Sequence, residues 1–523
     1  ALMAEEKSHS RFLFAPSLRS GMEIGMKNMT LENLAEACGG KLLCQGQMPR
    51  TEASAVVIDS RKVEKNSVFI AVKGERVDGH RFIPDVFEKG ALGVVCESVP
   101  ENPAGPCILV EDSLKALRQI AEFYRKQLPV KVVGITGSVG KTSTKEFIAA
   151  VLSQKYRVHK TQGNYNNEIG VPLTVLSMPE DTEMAVLEMG INHFGEMHRL
   201  SRIARPDICV MTNIGQCHLE YLGSREGILK AKSEIFDYMK EDGCVVLNGD
   251  DDMLSRITQV KGKRPVFYGV SSGRTACGET GRGLDIFAKD IRMKGILGSD
   301  AVFSHDGKTF AVHIPLPGEH MVYNALAAAA VGFQAGLTEE EIAAGIAATQ
   351  SVSGRSRVIQ AAGRIVIDDC YNANPVSMEA AIDLLAQAAG DCADYADSER
   401  EKQAAVRPEE PADGVSRRTV AVLGDMFELG EKEKELHGRV GRYLIEKGTD
   451  CVICAGELSA AMYEGALQAA EESGRQPSGG IHYFPGRQEL LDGIDALLKP
   501  GDIVLVKASH SMGFEEVVKR LTE

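Results

Sequence analysis

The chain has 523 residues, 44% hydrophobic and 25% charged, a balance that reads as a soluble globular protein too long for one ordinary core. Acidic residues outnumber basic ones by 73 to 59, a formal charge of −14. That charge excludes a general nucleic-acid binder, which needs a basic face, and any anionic substrate must be gripped by local donors against a repelling field. No apolar run approaches the ~20 residues that span a bilayer, so no membrane partner is expected.

In chain order, residues 1–25 carry a short apolar patch, Phe12-Leu13-Phe14, without the h-region or cleavage site of a secretory signal. They read as a disordered leader, with Met22 and Met26 as plausible starts. The 12 cysteines are scattered, and free thiols without a signal point to a reducing cytoplasm. Cys451 and Cys454 are three apart but sit inside an apolar run, which favours a buried strand over a zinc or redox site.

Residues 26–129 read as a small α/β domain, with strands over 55–61, 67–72 and 93–96 and a helix over 82–90. From 130 to 358 strands and helices alternate, with strands at 130–136, 184–188, 208–214, 243–248 and 266–270. This βαβ series implies a mainly parallel sheet covered on both faces. The pattern over 285–316 shortens to an antiparallel extension, and helices over 320–335 and 338–348 close the domain. From 359 to 523 a further series, with strands at 364–369, 418–424, 450–455 and 502–507, reads as a Rossmann-like domain. Its stretch 391–417, polar and without apolar period, is expected to be a mobile loop. The fold class is therefore α/β in three domains.

The most informative stretch runs from Val132 to Lys145. An apolar strand leads into Gly137-Ser138-Val139-Gly140-Lys141-Thr142-Ser143, and a helix with Phe147, Ile148, Val151 and Leu152 on one face starts at about Lys141. This is a phosphate cradle: glycines let backbone N–H groups approach oxyanions, and the helix start adds positive partial charge. Lys141 can reach terminal phosphates and Thr142 can offer its hydroxyl to a metal. The strict loop pattern wants glycine where Ile135 stands, so the match is to a variant.

Other candidates follow strands of the same domain. Glu188 ends one strand and His218 lies beyond the next, both at the edge where a metal would sit, although caps and loop contacts also use such residues. Lys232 falls four residues after Ile228 and four before Phe236, on the apolar face of a helix expected over 225–239. Burial would make its amine nucleophilic toward CO₂; the alternative is a lysine that snorkels to solvent. Asn324 opens an Ala-rich helix, Arg355 follows Ser353-Gly354 at a domain junction, and Asp368 to Pro375 crowds polar groups at a strand end, suited to ligand contact or to turn making.

Taken together these motifs resemble the Mur ligase family of peptidoglycan synthesis, from about residue 50 to 520. Three stretches carry the likeness: Thr136 through Glu146, Asn164 through Pro172, and Asp368 through Pro375 with Val422 through Met426. Within the family they imply an ADP-forming ATP-dependent ligase that joins D-alanyl-D-alanine to UDP-N-acetylmuramoyl-tripeptide through an acyl phosphate, a cytoplasmic step of cell-wall synthesis. The D-Y-A-H-x-P string of the sister ligase that makes the tripeptide is replaced here by Tyr371-Asn372-Ala373-Asn374-Pro375.

The resemblance implies ATP contacts at Gly137, Ser138, Gly140, Lys141, Thr142, Ser143, Asn324, Arg355 and Asp369. It implies two magnesium ions at Thr142, Glu188, His218 and a carbamylated Lys232, with Lys141, Lys232, His218 and Glu188 as the catalytic set. Substrate contacts are implied at Ser60, Arg61, Asp78, Gly79, His80, Asn166, Asn167, Tyr371, Asn372 and Asn374, in a monomer. The chain departs from the family pattern near His510, where members often carry Arg, and at Met321, where Asn is usual. Rival readings are another ligase of the family, a folylpolyglutamate-synthase-like ligase, a non-catalytic regulator and a generic phosphotransferase. The roughly 100 residues that match a UDP-binding domain argue against the folylpolyglutamate-synthase-like ligase, the presence of Lys141, Glu188, His218 and Lys232 against a regulator, and the two accompanying domains against a generic phosphotransferase.

Overall fold

The computed structural model describes residues 25–45, 47–74, 77–217, 219–270, 283–390 and 417–523. Residues 1–24 of the expected leader, 391–416 of the expected loop, and His218 lie outside the described residues. The chain divides into two compact units, one ending at Ile120 and one running from Ala121 to Glu523. Among the described residues no helix is long and apolar enough to cross a membrane.

The first unit holds one sheet of β1 (Lys41–Leu43), β2 (Val56–Val57), β3 (Val68–Ile70), β4 (Gly93–Cys96) and β5 (Cys107–Leu109). The strand order is β1-β5-β4-β3-β2, parallel except for β1 against β5. Phe69, Ala71, Ile83, Val86, Val94 and Cys96 form its core. The strand expected over 55–61 shrinks to β2 because the Asp59 carboxylate accepts from the Arg61 N–H and starts a 3₁₀ turn at Ser60–Lys62. The expected helix over 82–90 is likewise a 3₁₀ turn, Gly79–Phe82, running into α-helix Ile83–Glu88.

The second unit contains two sheets. The larger comprises β6 (Lys131–Thr136), β7 (Val158–Lys160), β8 (Met184–Glu188), β9 (Ile208–Met211), β10 (Cys244–Asn248), β11 (Val266–Gly269), β12 (Ile286–Met293), β13 (Ser299–His305) and β14 (Lys308–Ile314). Their order is β14-β13-β12-β11-β10-β9-β6-β8-β7. Pairing is parallel from β7 to β12, then antiparallel through β14. Val132, Val133 and Ile135 of β6 are fully buried, as expected where helices cover both faces of a parallel strand. One covering layer is α-helix Lys141–Leu152, packed against helices His320–Gln334 and Glu339–Ala347.

The smaller sheet orders its strands β15-β16-β20-β17-β18-β19. They are β15 (Arg357–Ala361), β16 (Arg364–Asp368), β17 (Thr419–Gly424), β18 (Cys451–Ala455), β19 (Ile481–Phe484) and β20 (Ile503–Lys507). All pairs are parallel except the β15–β16 hairpin. Cys451 and Cys454 are buried in β18, as the apolar run implies.

The larger sheet changes direction at β6. Strands β8 and β7 lie to one side of it and β9 onward to the other. The loops after β6, β8 and β9 therefore meet at the carboxyl edge of the sheet around a crevice, the place where open α/β sheets bind ligands.

Candidate active site

The loop after β6 is shaped by two glycines with left-handed backbone, Gly137 at φ 149° and Gly140 at φ 81°. A Cβ at Gly137 would stand 2.0 Å from the Thr212 hydroxyl, so only glycine lets the loop lie against the segment after β9. That segment stitches the loop down. Ser138 N–H donates to the Asn213 carbonyl at 3.0 Å, Val139 N–H to Asn213 Oδ1 at 3.0 Å, and the Thr212 hydroxyl to the Val139 carbonyl at 2.6 Å. The helix then begins at Lys141, as expected, with no side-chain cap on Gly140. Half-buried Ser143 lies in its first turn.

Lys141 folds back over this loop and donates from Nζ to the carbonyls of Gly137 at 2.9 Å and Ser138 at 3.3 Å. Burial pushes its ammonium below the usual lysine range; Glu188 and Cys217 oppose that shift and Arg355 adds to it.

Glu188, at the end of β8, is 1% exposed. Its Oε1 accepts from the Thr142 hydroxyl at 3.2 Å and from Asn166 Nδ2 at 2.8 Å. Its Oε2 is buried and has no hydrogen-bond partner among the described residues; the Lys145 ammonium stands 3.8 Å away. A carboxylate oxygen left open beside a hydroxyl is the donor chemistry of a hard divalent cation. Among the described residues, which leave out His218, no three His, Cys, Asp or Glu side chains converge. Asn167 Oδ1 accepts from the N–H groups of Ile169 and Gly170 at the start of the helix Gly170–Leu176.

Lys232 is 1% exposed, on the face with Ile228 and Phe236, while Lys230 is exposed. Burial drives its amine down to about 8; Cys217 opposes and Lys141 pushes further down. The expected helix over 225–239 is shorter, however. It ends at Ser233 and tightens to a 3₁₀ turn at Glu234–Phe236, because the Glu234 carboxylate accepts from the N–H groups of Gly195 and His198 at the start of helix Glu196–Ala204.

The smaller sheet brings further candidates to the same place. Arg355 Nη2 donates to the Thr142 hydroxyl at 3.3 Å, and the guanidinium carbon lies 3.9 Å over the Tyr371 ring. From the larger sheet's own covering layer, Asn324 is buried in the second turn of helix His320–Gln334, its Oδ1 accepting from the Thr144 hydroxyl at 3.0 Å. Asp369 accepts from Ser356 N–H at 2.8 Å and pairs with Lys507 Nζ at 2.5 Å; Lys507 also donates to the Asn372 carbonyl at 3.0 Å. Asn374 makes a turn, its Oδ1 accepting from Ser377 N–H at 2.9 Å to begin helix Pro375–Gly390.

The sequence reading passed over Lys145 and Lys507. Lys145 is 1% exposed, 3.2 Å from Glu146 Oε1, and Glu146 also accepts from Lys160. Its signal was available, since it lies one helical turn after Lys141. Lys507 gave none, because its partner Asp369 is 138 residues away.

The first unit gathers its own group at the ends of β2 and β3. Arg61, with an 86% exposed side chain, forks onto Asp59 at 2.9 and 2.8 Å, holding that carboxyl down to about 2. The Ser60 carbonyl accepts from Lys89 at 2.8 Å. Asp78 Oδ1 accepts from His80 N–H at 3.0 Å and faces His80 Nδ1 at 2.7 Å. His80 Nε2 accepts from Glu97 N–H at 2.8 Å, which sets the tautomer with its proton on Nδ1. Gly79 donates to the Val72 carbonyl, which a Cβ there would approach to 2.7 Å.

Three family models match the chain: residues 52–125 match the Mur ligase family catalytic domain, 135–332 the Mur ligase middle domain and 391–510 the Mur ligase glutamate ligase domain. A UDP-N-acetylmuramoyl-tripeptide–D-alanyl-D-alanine ligase of Bacillus subtilis is 39% identical over 95% of this chain and 99% of its own. The chain belongs to the Mur ligase family. Among solved Mur ligases, MurF from Acinetobacter baumannii superposes with a TM-score of 0.80 at 30% identity, covering 95% of this chain and 100% of that one. MurF ligase from Thermotoga maritima, solved in complex with ADP, gives 0.72 at 29% identity, covering 90% and 97%.

Proposed function

We propose that this Mur ligase uses ATP to join D-alanyl-D-alanine to UDP-N-acetylmuramoyl-tripeptide, releasing ADP and phosphate. One juxtaposition carries the reading: the open carboxylate oxygen of Glu188, the Thr142 hydroxyl, the Lys141 ammonium and the Arg355 guanidinium converge on a glycine-shaped loop at the start of a helix. The choice of donor and acceptor rests on end-to-end likeness to ligases of that name.

The tripeptide carboxylate attacks the γ-phosphorus of ATP; a P–O bond forms, the bridging P–O bond breaks and ADP leaves. The amine of the dipeptide adds to the acyl carbon. The tetrahedral intermediate expels phosphate as the amine gives up a proton. Chemistry of this kind needs positioning and charge neutralisation more than covalent help. Lys141 and the loop amides hold the phosphates of the nucleotide, and Arg355 meets the transferring group from the other sheet. Ser60, Arg61 and Asp78 to His80 hold the UDP end of the donor, and Tyr371 and Asn372 line the acceptor side.

Thr142, Glu188 and His218 would hold magnesium, which would offset the negative charge of the phosphates. The Lys232 amine adds to CO₂ and releases a proton, turning a buried cation into a carboxylate-like metal ligand. The reading makes the protein a cytoplasmic monomer, working where ATP is supplied.

The test is ADP release by the purified chain against a panel of UDP-muramoyl peptides and acceptors. Release that requires both a tripeptide donor and D-alanyl-D-alanine supports the reading. Release with a dipeptide donor and a free diamino acid overturns it.

A further inference from the structure

A guanidinium beside a phosphate loop has to be kept there. Arg355 stands on the segment that leads into β15, and its side chain reaches the Thr142 hydroxyl although the Lys141 ammonium beside it is repelled by the same charge. A flexible arginine with a like charge for a neighbour turns to solvent unless something opposes it.

Tyr371 supplies that opposition. The Arg355 Cζ lies 3.9 Å from the ring centre, well inside cation–π range. Tyr371 is itself fixed: its N–H donates to the Gly354 carbonyl at 3.2 Å. Gly354 adopts φ 72°, and a Cβ there would stand 3.0 Å from the Tyr371 Cβ, so the residue before the arginine is one that lets the two segments touch. The backbone is pinned on either side of Arg355, since Gly354 N–H donates to Asp368 at 2.9 Å and Ser356 N–H to Asp369 at 2.8 Å. The His510 ring lies 5.2 Å from the Tyr371 ring at 30°.

We propose that Tyr371 is a positioning residue that holds Arg355 against the phosphate loop, its ring serving as the platform. This is a different task from the substrate contact expected of it, and it rests on the ligase reading above for its kinetic readout.

A residue that acts through another has no effect once the other is gone. The experiment compares wild type, Tyr371→Leu, Tyr371→Phe, Arg355→Gln and the double variant Tyr371→Leu/Arg355→Gln, all full length. KM for ATP, kcat and KM for the dipeptide are read from ADP release. Tyr371→Leu is expected to raise the ATP KM about tenfold and Tyr371→Phe, which keeps the platform, about threefold. In the Arg355→Gln background, Tyr371→Leu should add less than about twofold. Effects that multiply in the double variant overturn the proposal, as does a rise confined to the dipeptide or UDP-peptide KM. If Tyr371→Leu fails to melt cooperatively, Tyr371→Phe alone and with Arg355→Gln carries the same comparison. Wild type without ligase activity would sink the functional reading instead; calorimetric affinity for a non-hydrolysable ATP analogue across the same proteins then decides the positioning role.

Discussion

Lys232 is a buried base whose protonation sets what it can do. With its amine near 8, about a quarter of it is neutral at pH 7.5, against about 0.1% for an unperturbed lysine near 10.4. Addition to CO₂ needs that neutral amine. Bicarbonate should therefore activate the enzyme increasingly as pH rises from about 7 to 9, measured as initial ADP release after a bicarbonate-free preincubation. Lys232→Ala should lose at least about 100-fold in kcat and recover part of it with millimolar formate, acetate or propionate. A folded Lys232→Ala protein that no short carboxylic acid restores would remove the carbamate. The sign for stability is separate. The folded value lies below the unfolded one, so between them the unfolded chain holds the extra proton. The penalty for burying this amine is full below about 8 and fades as pH climbs toward about 10.4. Lys141 is the simpler case, its hydrogen bonds among the described residues going to loop carbonyls; Lys141→Ala should cut kcat/KM for ATP by at least about a thousandfold with an unchanged melting curve. The burial of Lys232 was legible because it follows from spacing along one helix. The Arg355–Tyr371 contact was not, because two loops 16 residues apart meet only through the β15–β16 hairpin.

At the level of elements, the phosphate loop is only as well placed as the helix behind it. Helix Lys141–Leu152 is clamped by small residues: Ala327 to Ala330 are fully buried against its layer, and a Cβ at Gly345 would stand 2.4 Å from the Val151 Cα. Because that obstacle is backbone, Gly345→Val cannot be absorbed by a rotamer change. It should cost about 1–3 kcal/mol, lower the melting temperature by several degrees and raise the ATP KM, although Gly345 is remote from the loop. A normal KM in a destabilised protein would show that the helix start is held by its own loop. Long buried strands were readable here as apolar runs: β6, β8, β10, β17 and β20 fall within a residue of their expected positions. The edge strands β1, β7, β15 and β19 were not, because three to five partly exposed residues carry no periodicity to detect, and β5, though buried, is only three residues long. The antiparallel extension was anticipated from its alternation, but not its length: β12, β13 and β14 run to 8, 7 and 7 residues, longer than the parallel strands, where shorter ones were expected.

For the whole molecule, the question is how far the two compact units depend on each other. The first has its own sheet and its own core around Phe69, Val86 and Val94, while every residue proposed to hold ATP lies beyond Ala121. The chain passes from one unit to the other inside helix Ser113–Gln127. The second half of this helix is anchored by long-range bonds. The Tyr124 hydroxyl donates to the Met178 carbonyl at 2.9 Å, and Arg125 donates to the carbonyls of Ala204, Leu128 and Val130. A fragment starting at Ser113 keeps the helix whole and should fold, because domains with separate cores do so. It should bind ADP within about threefold of the full chain's affinity, as every group proposed to hold the nucleotide is kept, yet form no amide, because the groups proposed to hold the UDP end are gone. Calorimetry with ADP and a ligation assay decide the matter. A fragment that melts cooperatively but has lost ADP binding would mean that the phosphate loop takes its shape from the first unit, and the assignment of nucleotide and UDP-precursor to separate units would fall.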